Sequence, residues 1–157
     1  MRNEKIPVIH TEDLTTLVNW RMEVLCNQCK EMTDAERERL ESESRAYFLR
    51  QVPGGAHYAV LATPGGEAVG CGALNFYSAM PGPDNPNGAC ADIVNLYVRP
   101  EHRRQGIATA IVEHLKEIAR RVGVTRLYLK TRDSALNIFA HEGFIPIDGM
   151  MTISVLK

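Results

Sequence analysis

A chain of 157 residues with a formal net charge of −1 suits one domain, residues 1–157, built around one hydrophobic core. Its 45% hydrophobic and 24% charged residues are an ordinary globular mix, with no electrostatic bias toward nucleic acid or an anionic membrane. No apolar run is long enough to span a bilayer and the N-terminal MRNEKIPVIH lacks a signal peptide's apolar stretch, so a cytoplasmic setting without membrane or nucleic-acid partners is expected.

In chain order, Thr11 to about Cys29 reads as a helix with Leu14, Leu17, Val18 and Leu25 near one face and cap residues in Thr11-Glu12-Asp13. Within it Cys26 and Cys29 are spaced like half a zinc or redox motif. No second C-x-x-C exists and no histidine pair has ligand spacing, so the cysteines read as structural and no metal is expected. Thr33 to about Gln51 is a second helix, opened by Thr33 and Glu36 as a capping box and closed by Pro53-Gly54-Gly55. His57–Thr63 and Glu67–Phe76 read as strands joined by Pro64-Gly65-Gly66. The proline- and glycine-rich stretch 78–88 is a loop.

Ala91–Val98 is the next strand, Gln105–Val122 a helix with Gly123 at its C-terminal end, and Val124–Thr131 another strand. Asp133–Glu142 is a helix ended by Gly143, and Phe144–Ile147 and Met151–Leu156 can supply final strands. Strand, helix and strand over 91–131 imply a parallel pair, while the earlier hairpin implies an antiparallel one. The simplest assembly is α+β, a mixed central sheet with helices on both faces.

The chemically informative stretch is ADIVNLYVRPEHRRQGIATAIVEHL, residues 91–115. His102, Arg103 and Arg104 precede a helix, where the helix dipole disfavours cations by about 0.3–1 kcal/mol each unless an anion sits there. Gly106 occupies the first turn, where it costs about 1 kcal/mol relative to Ala but lets a phosphate approach the backbone; Ala108 is similarly small. The helix is otherwise well built, with Ile107, Ile111, Leu115, Ile118 and Val122 as an apolar stripe. The plainer alternative is a strand-to-helix turn with two surface arginines. The sequence contains neither a G-x-x-x-x-G-K-[ST] loop nor a G-x-G-x-x-G fingerprint.

Arg103-Arg104-Gln105-Gly106-Ile107-Ala108 resembles the R/Q-x-x-G-x-G/A loop of the GNAT acetyltransferase superfamily. Val98-Arg99-Pro100 resembles that family's lead-in, and residues 135–144, ending in Gly143-Phe144, resemble its C-terminal helix. The resemblance covers nearly the whole chain and implies a GNAT-type sheet with splayed central strands. It implies an acetyl-CoA-dependent N-acetyltransferase acting on a small-molecule or peptide amine, with a homodimer kept open as the assembly. A catalytically silent acyl-CoA-binding module is the alternative.

By that resemblance the backbone of Gln105, Gly106, Ile107 and Ala108, extending to Thr109, holds the pyrophosphate with Arg103 and Arg104. Leu96, Tyr97 and Val98 line the pantetheine arm, the Leu96 amide faces the thioester carbonyl, and Asn137 and Phe139 lie near the arm and sulfur.

An amine resembling Lys, with a pKa near 10.4, is protonated at neutral pH and must lose a proton before it attacks. Asp92, six residues before Val98, is the candidate general base. By strand alternation it shares a face with Val94, Leu96 and Val98; a strand-end aspartate in water or paired with an arginine is the alternative. Asn95 and His57 are lesser candidates for orienting water or the amine. Phe139 departs from the family, which commonly has Tyr there as an acid for the departing sulfur; Tyr128 and Ser134 are nearby in sequence. Trp20, Arg21, Glu23, Tyr47, Phe76, Tyr77 and Met80 lie in elements that border the acceptor, and Glu23 or Asp84 could pair with a cationic amine.

Overall fold

A computed structural model describes residues 4–147 and 149–155 of the chain. Its strands are β1 (Val8–Thr11), β2 (His57–Ala62), β3 (Gly70–Ser78), β4 (Ala89–Val98) and β5 (Arg126–Leu129). Its helices are α1 (Leu14–Gln28), α2 (Asp34–Gln51), α3 (Ile107–Arg121) and α4 (Leu136–His141). The strands form one sheet in the order β1-β2-β3-β4-β5, antiparallel until the last pair, which is parallel. The expected mixed sheet with helices on both faces is what forms.

Strand alternation divides the sheet into two apolar faces. Val60, Ala62, Leu74, Ala91, Ile93 and Val98 pack against Ile107, Ile111, Val112, Leu115 and Ala119 of α3. The opposite face carries Ala59, Leu61, Cys71 and Ala73 against Leu17, Val18, Trp20, Met22 and Val24 of α1 and Phe48 of α2. Gly72 permits the close approach of α3: a Cβ there would come within 2.7 Å of Ile111 Cγ2. Asp13 caps α1 by accepting from the Thr16 amide at 2.9 Å, and the Thr33–Glu36 capping box forms at α2 as expected.

Several boundaries differ from expectation. Thr11 belongs to β1, so α1 begins three residues later. The last residue of the expected α3 stripe, Val122, is 61% exposed because the helix has already ended; Val112 and Ala119 complete the buried face instead. Phe144–Ile147 and 151–155 form no strand among the described residues, and Ile145, Ile147, Met151 and Ile153 are exposed. Pro146 removes one ladder donor from the first run. Leu156, the end of the second, lies outside the described residues.

Candidate active site

The site begins where β4 breaks its own alternation. Cys71 pairs with Tyr97 but Ala73 pairs with Val94, so β4 carries one extra residue between them. Asn95 absorbs it with a left-handed φ of 56°, a conformation asparagine tolerates better than most residues. The Asn95 carbonyl accepts from the Cys71 thiol at 3.2 Å, and its side-chain oxygen accepts from Arg21 Nη1 at 2.8 Å. Burial pushes the Cys71 thiol up to about 12, so it stays protonated as that donor.

The bulge corrects the face expected for Asp92. Asp92 and Val94 point to the α1–α2 side, but beyond Asn95 the phase shifts, and Leu96 and Val98 pack with the α3 core. Asp92 therefore does not share a face with Leu96 and Val98.

Beside the bulge the sheet opens. β5 pairs with residues 90–93 of β4 only, its last partners being Ile93 and Leu129. Among the described residues, 94–98 continue without a paired strand on that edge, roughly 16 Å of open strand at about 3.3 Å per residue. Leu96, Tyr97 and Val98 all lie on this stretch. This is the splay expected of the central strands, a slot in which backbone polar groups are left for a ligand to pair with.

The strand then runs through a short 3₁₀ turn, Pro100–His102, into the loop before α3. Arg104 has a φ of 62° and Gly106, the N-cap of α3, a φ of 79°. Among the described residues no side chain caps this helix end, and its first backbone bond runs from the Ala110 amide to the Gly106 carbonyl. The amides of Ile107, Ala108 and Thr109 thus precede the first helical hydrogen bond. A Cβ on Gly106 would meet nothing within 4 Å, which leaves open space over these amides. The loop therefore fits an anionic pyrophosphate: uncapped amides, an absent side chain and exposed cations at one helix terminus.

The two arginines differ. Arg103 folds back, its Nε donating to the Val98 carbonyl at 2.9 Å and its guanidinium lying 5.8 Å from the centre of the Tyr97 ring. That contact takes one lone pair of a carbonyl expected to meet the pantetheine arm and leaves the other. Arg104 and Gln105 are exposed.

On the α1–α2 side a band of polar side chains crosses β2, β3 and β4. Buried His57 Nδ1 lies 2.7 Å from Asn75 Oδ1 and 3.1 Å from Tyr47 Oη, and Tyr47 donates to the same Asn75 oxygen at 2.7 Å. Burial lowers the His57 pKa and raises that of Tyr47, so both are neutral near pH 7. Further along β4, Asp92 Oδ1 accepts from the Tyr77 hydroxyl at 3.1 Å. Burial of that hydroxyl and the adjacent carboxylate push the Tyr77 pKa up. Tyr128 of β5 stands in register with Asp92. Asp92 thus has one oxygen engaged by a neutral phenol and is not paired with an arginine among the described residues.

Other expected residues have structural duties. Glu23 is held by Arg99 through two 3.1 Å contacts, and the Arg99 guanidinium lies 4.7 Å from the Trp20 ring centre. This clamp ties α1 to the end of β4, a role for Arg99 and Glu23 that no sequence pattern announced. Asp84 lies 3.7 Å from Arg126, Phe76 packs on the α3-side core, and Met80 is 92% exposed. Phe139 is half-buried against the α3-side core, its ring edge-on to Phe144 at 6.0 Å, while Asn137 and Ser134 are exposed. All four cysteines are free thiols.

Residues 20–144 match the acetyltransferase (GNAT) family. Among solved structures, a predicted acetyltransferase from Clostridium acetobutylicum, solved with acetyl-CoA, superposes with a TM-score of 0.80 at 17% identity, covering 96% of both chains. A GCN5-related N-acetyltransferase from Ralstonia eutropha JMP134 superposes with a TM-score of 0.79 at 19% identity, covering 95% of this chain and 98% of that one. Glucosamine-6-phosphate N-acetyltransferase from Arabidopsis thaliana gives 0.67 at 16% identity over 97% and 99%. At these identities the likeness is one of fold. No curated protein matches the chain.

Proposed function

Because the chain belongs to the acetyltransferase (GNAT) family, we propose that it transfers the acetyl group of acetyl-CoA to an amine by direct attack on the thioester. The observation that carries this reading is where the backbone is strained. Among the described residues, the non-glycine positions with positive φ are Asn95 and Arg104. One lies at the bulge beside the strand splay and the other in the cationic loop before α3, the two ends of a coenzyme A site. Such strain costs about 1–3 kcal/mol per residue and concentrates where function requires it.

In this reading the amides at the start of α3, with Arg103 and Arg104, bind the pyrophosphate, and the open edge of β4 binds the pantetheine arm. The Leu96 amide, next to the bulge, polarises the thioester carbonyl. The amine nitrogen bonds to the carbonyl carbon, the carbon–sulfur bond breaks, and the thiolate departs. Asp92 takes the amine proton directly or through water, with Tyr77 donating to its other side. A thiol of pKa near 8.5 leaves without an acid at a cost of about 2 kcal/mol at pH 7, so Phe139 does not prevent turnover.

Phe139 also supports a second reading, a domain that binds an acyl-CoA without turning it over, since a ring without a hydroxyl stands where the family commonly has an acid. A thiol-release assay with acetyl-CoA against polyamines, aminoglycosides, amino acids and peptides separates the two. Amine-dependent release supports the enzyme; acetyl-CoA binding without release from any acceptor supports the binding module.

A further inference from the structure

Arg21 is a half-buried cation whose charge no carboxylate among the described residues offsets. It projects from α1 over the β4 bulge, and its one hydrogen bond among the described residues, at 2.8 Å, goes to the neutral side-chain oxygen of Asn95. No carboxylate lies within ion-pair distance of it among the described residues. The ionisable groups that act on it are Cys71, Tyr47 and Cys29. Two other arginines, both just after β4, are provided for: half-buried Arg99 by Glu23 and the Trp20 face, and exposed Arg103 by the Val98 carbonyl and the Tyr97 face.

Burial penalises the charged form of Arg21, yet a guanidinium does not give up its proton in a protein, so the charge remains. The surrounding groups supply no anion. Burial holds the Tyr47 phenol and the Cys71 thiol in their neutral forms, and His57 and Asn75 beside Tyr47 are neutral as well. Among the described residues one of its five guanidinium N–H donors is used, which leaves most of a planar fork suited to a carboxylate or phosphoryl group. The fork stands at the residue before Leu96, on the side of the sheet opposite α3.

We propose that Arg21 anchors an oxyanion carried by the acceptor, so that the acceptor class is an amine bearing a carboxylate or phosphoryl group. This rests on the acetyl-transfer reading and gives it a substrate charge. Asn95 then has two duties: it takes the bulge's left-handed turn and orients the Arg21 fork. An amine whose acidic group is seated on Arg21 is held at the bulge, with the polar band from Tyr47 to Asp92 lining its approach.

The test titrates the full-length protein, with coenzyme A present, in a calorimeter using two matched pairs: O-phosphoethanolamine against ethanolamine, and leucine against leucinamide. At least one anionic probe should bind about tenfold or more tighter than its neutral partner, and which pair shows it identifies the group as phosphoryl or carboxylate. Arg21→Gln should erase most of that ratio, and Arg21→Lys, which keeps the charge but not the fork, should retain part of it. Equal binding within both pairs, or no binding of either anion, would overturn the proposal. So would an Arg21→Gln variant that weakens charged and neutral probes alike, since Arg21 would then only brace the bulge. Thiol release from acetyl-CoA, read in parallel, judges the acetyl-transfer reading separately. Charge-selective binding without release fails that reading and keeps the Arg21 site; release indifferent to acceptor charge does the reverse.

Discussion

Gly106→Ala separates the cost of folding the phosphate loop from the use to which it is put. Gly106 caps α3 with a φ of 79°, a conformation that costs an alanine roughly 1–2 kcal/mol. The added Cβ meets no protein atom within 4 Å, so no clash adds to that figure. A loss of this size is a fraction of a typical stability of about 5–15 kcal/mol and should lower the melting temperature by roughly 2–8 °C. The methyl group would, however, occupy the space over the amides of Ile107 and Ala108. Losing one charge-assisted hydrogen bond there removes roughly 1.5–3 kcal/mol, a fall in acetyl-CoA affinity from about tenfold to more than a hundredfold. Calorimetry with acetyl-CoA and thermal unfolding of the same sample measure the two effects. A folded variant that binds acetyl-CoA as tightly as the parent would refute the loop's role.

Arg104→Gly relieves a left-handed φ of 62°, so it should hold or raise the melting temperature while weakening acetyl-CoA but not a phosphate-free donor such as S-acetylpantetheine; equal weakening of both donors would argue against phosphate contact. Asp92→Asn should lower turnover without weakening acetyl-CoA binding, with a smaller loss at high pH where more amine is already neutral; a pH–rate profile identical to the parent's would move the base elsewhere. Phe139→Tyr should leave acetyl-CoA affinity nearly unchanged and turnover equal or modestly higher, and a collapse in turnover would mean that the half-buried site is packed around the bare ring. Burial lowers the folded pKa of His57, so the unfolded chain takes up that proton first and stability falls as pH drops below about 6.5 toward the folded value. Urea midpoints across that range should fall less steeply in His57→Gln, with His114, whose pKa burial and nearby cations also lower, contributing the same sign.

The elements that could be read from the chain are those whose signal is local. The Thr33–Glu36 box, the apolar stripe of α3 apart from Val122, and the glycines at 106, 123 and 143 each encode a boundary within a few residues, and these appear in the structure. What escaped the reading depends on neighbours. β1 has only four residues with an exposed centre, so its apolar pattern is too short to register before it pairs with β2. The bulge at Asn95 leaves no mark in ADIVNLYV, because either phase of alternation looks apolar; it emerges from the register between β3 and β4 and reverses the face of Asp92 relative to Leu96. Arg21, Glu23 and Arg99 are unremarkable charges in the sequence and acquire their roles from residues more than seventy positions away. The expected final strands do not form among the described residues, and Pro146 withholds a ladder donor from the first of them.

The most direct test of acetyl transfer to an amine is to measure, in one reaction, the coenzyme A released and the acetylated amine formed, by thiol titration and mass spectrometry. The acetyl-transfer account predicts amine-dependent release matched one-to-one by acetylated product, and lowered at least about tenfold by Gly106→Ala at limiting acetyl-CoA. Tight acetyl-CoA binding with no acetylated amine, or thiol release that proceeds equally without amine, would contradict it.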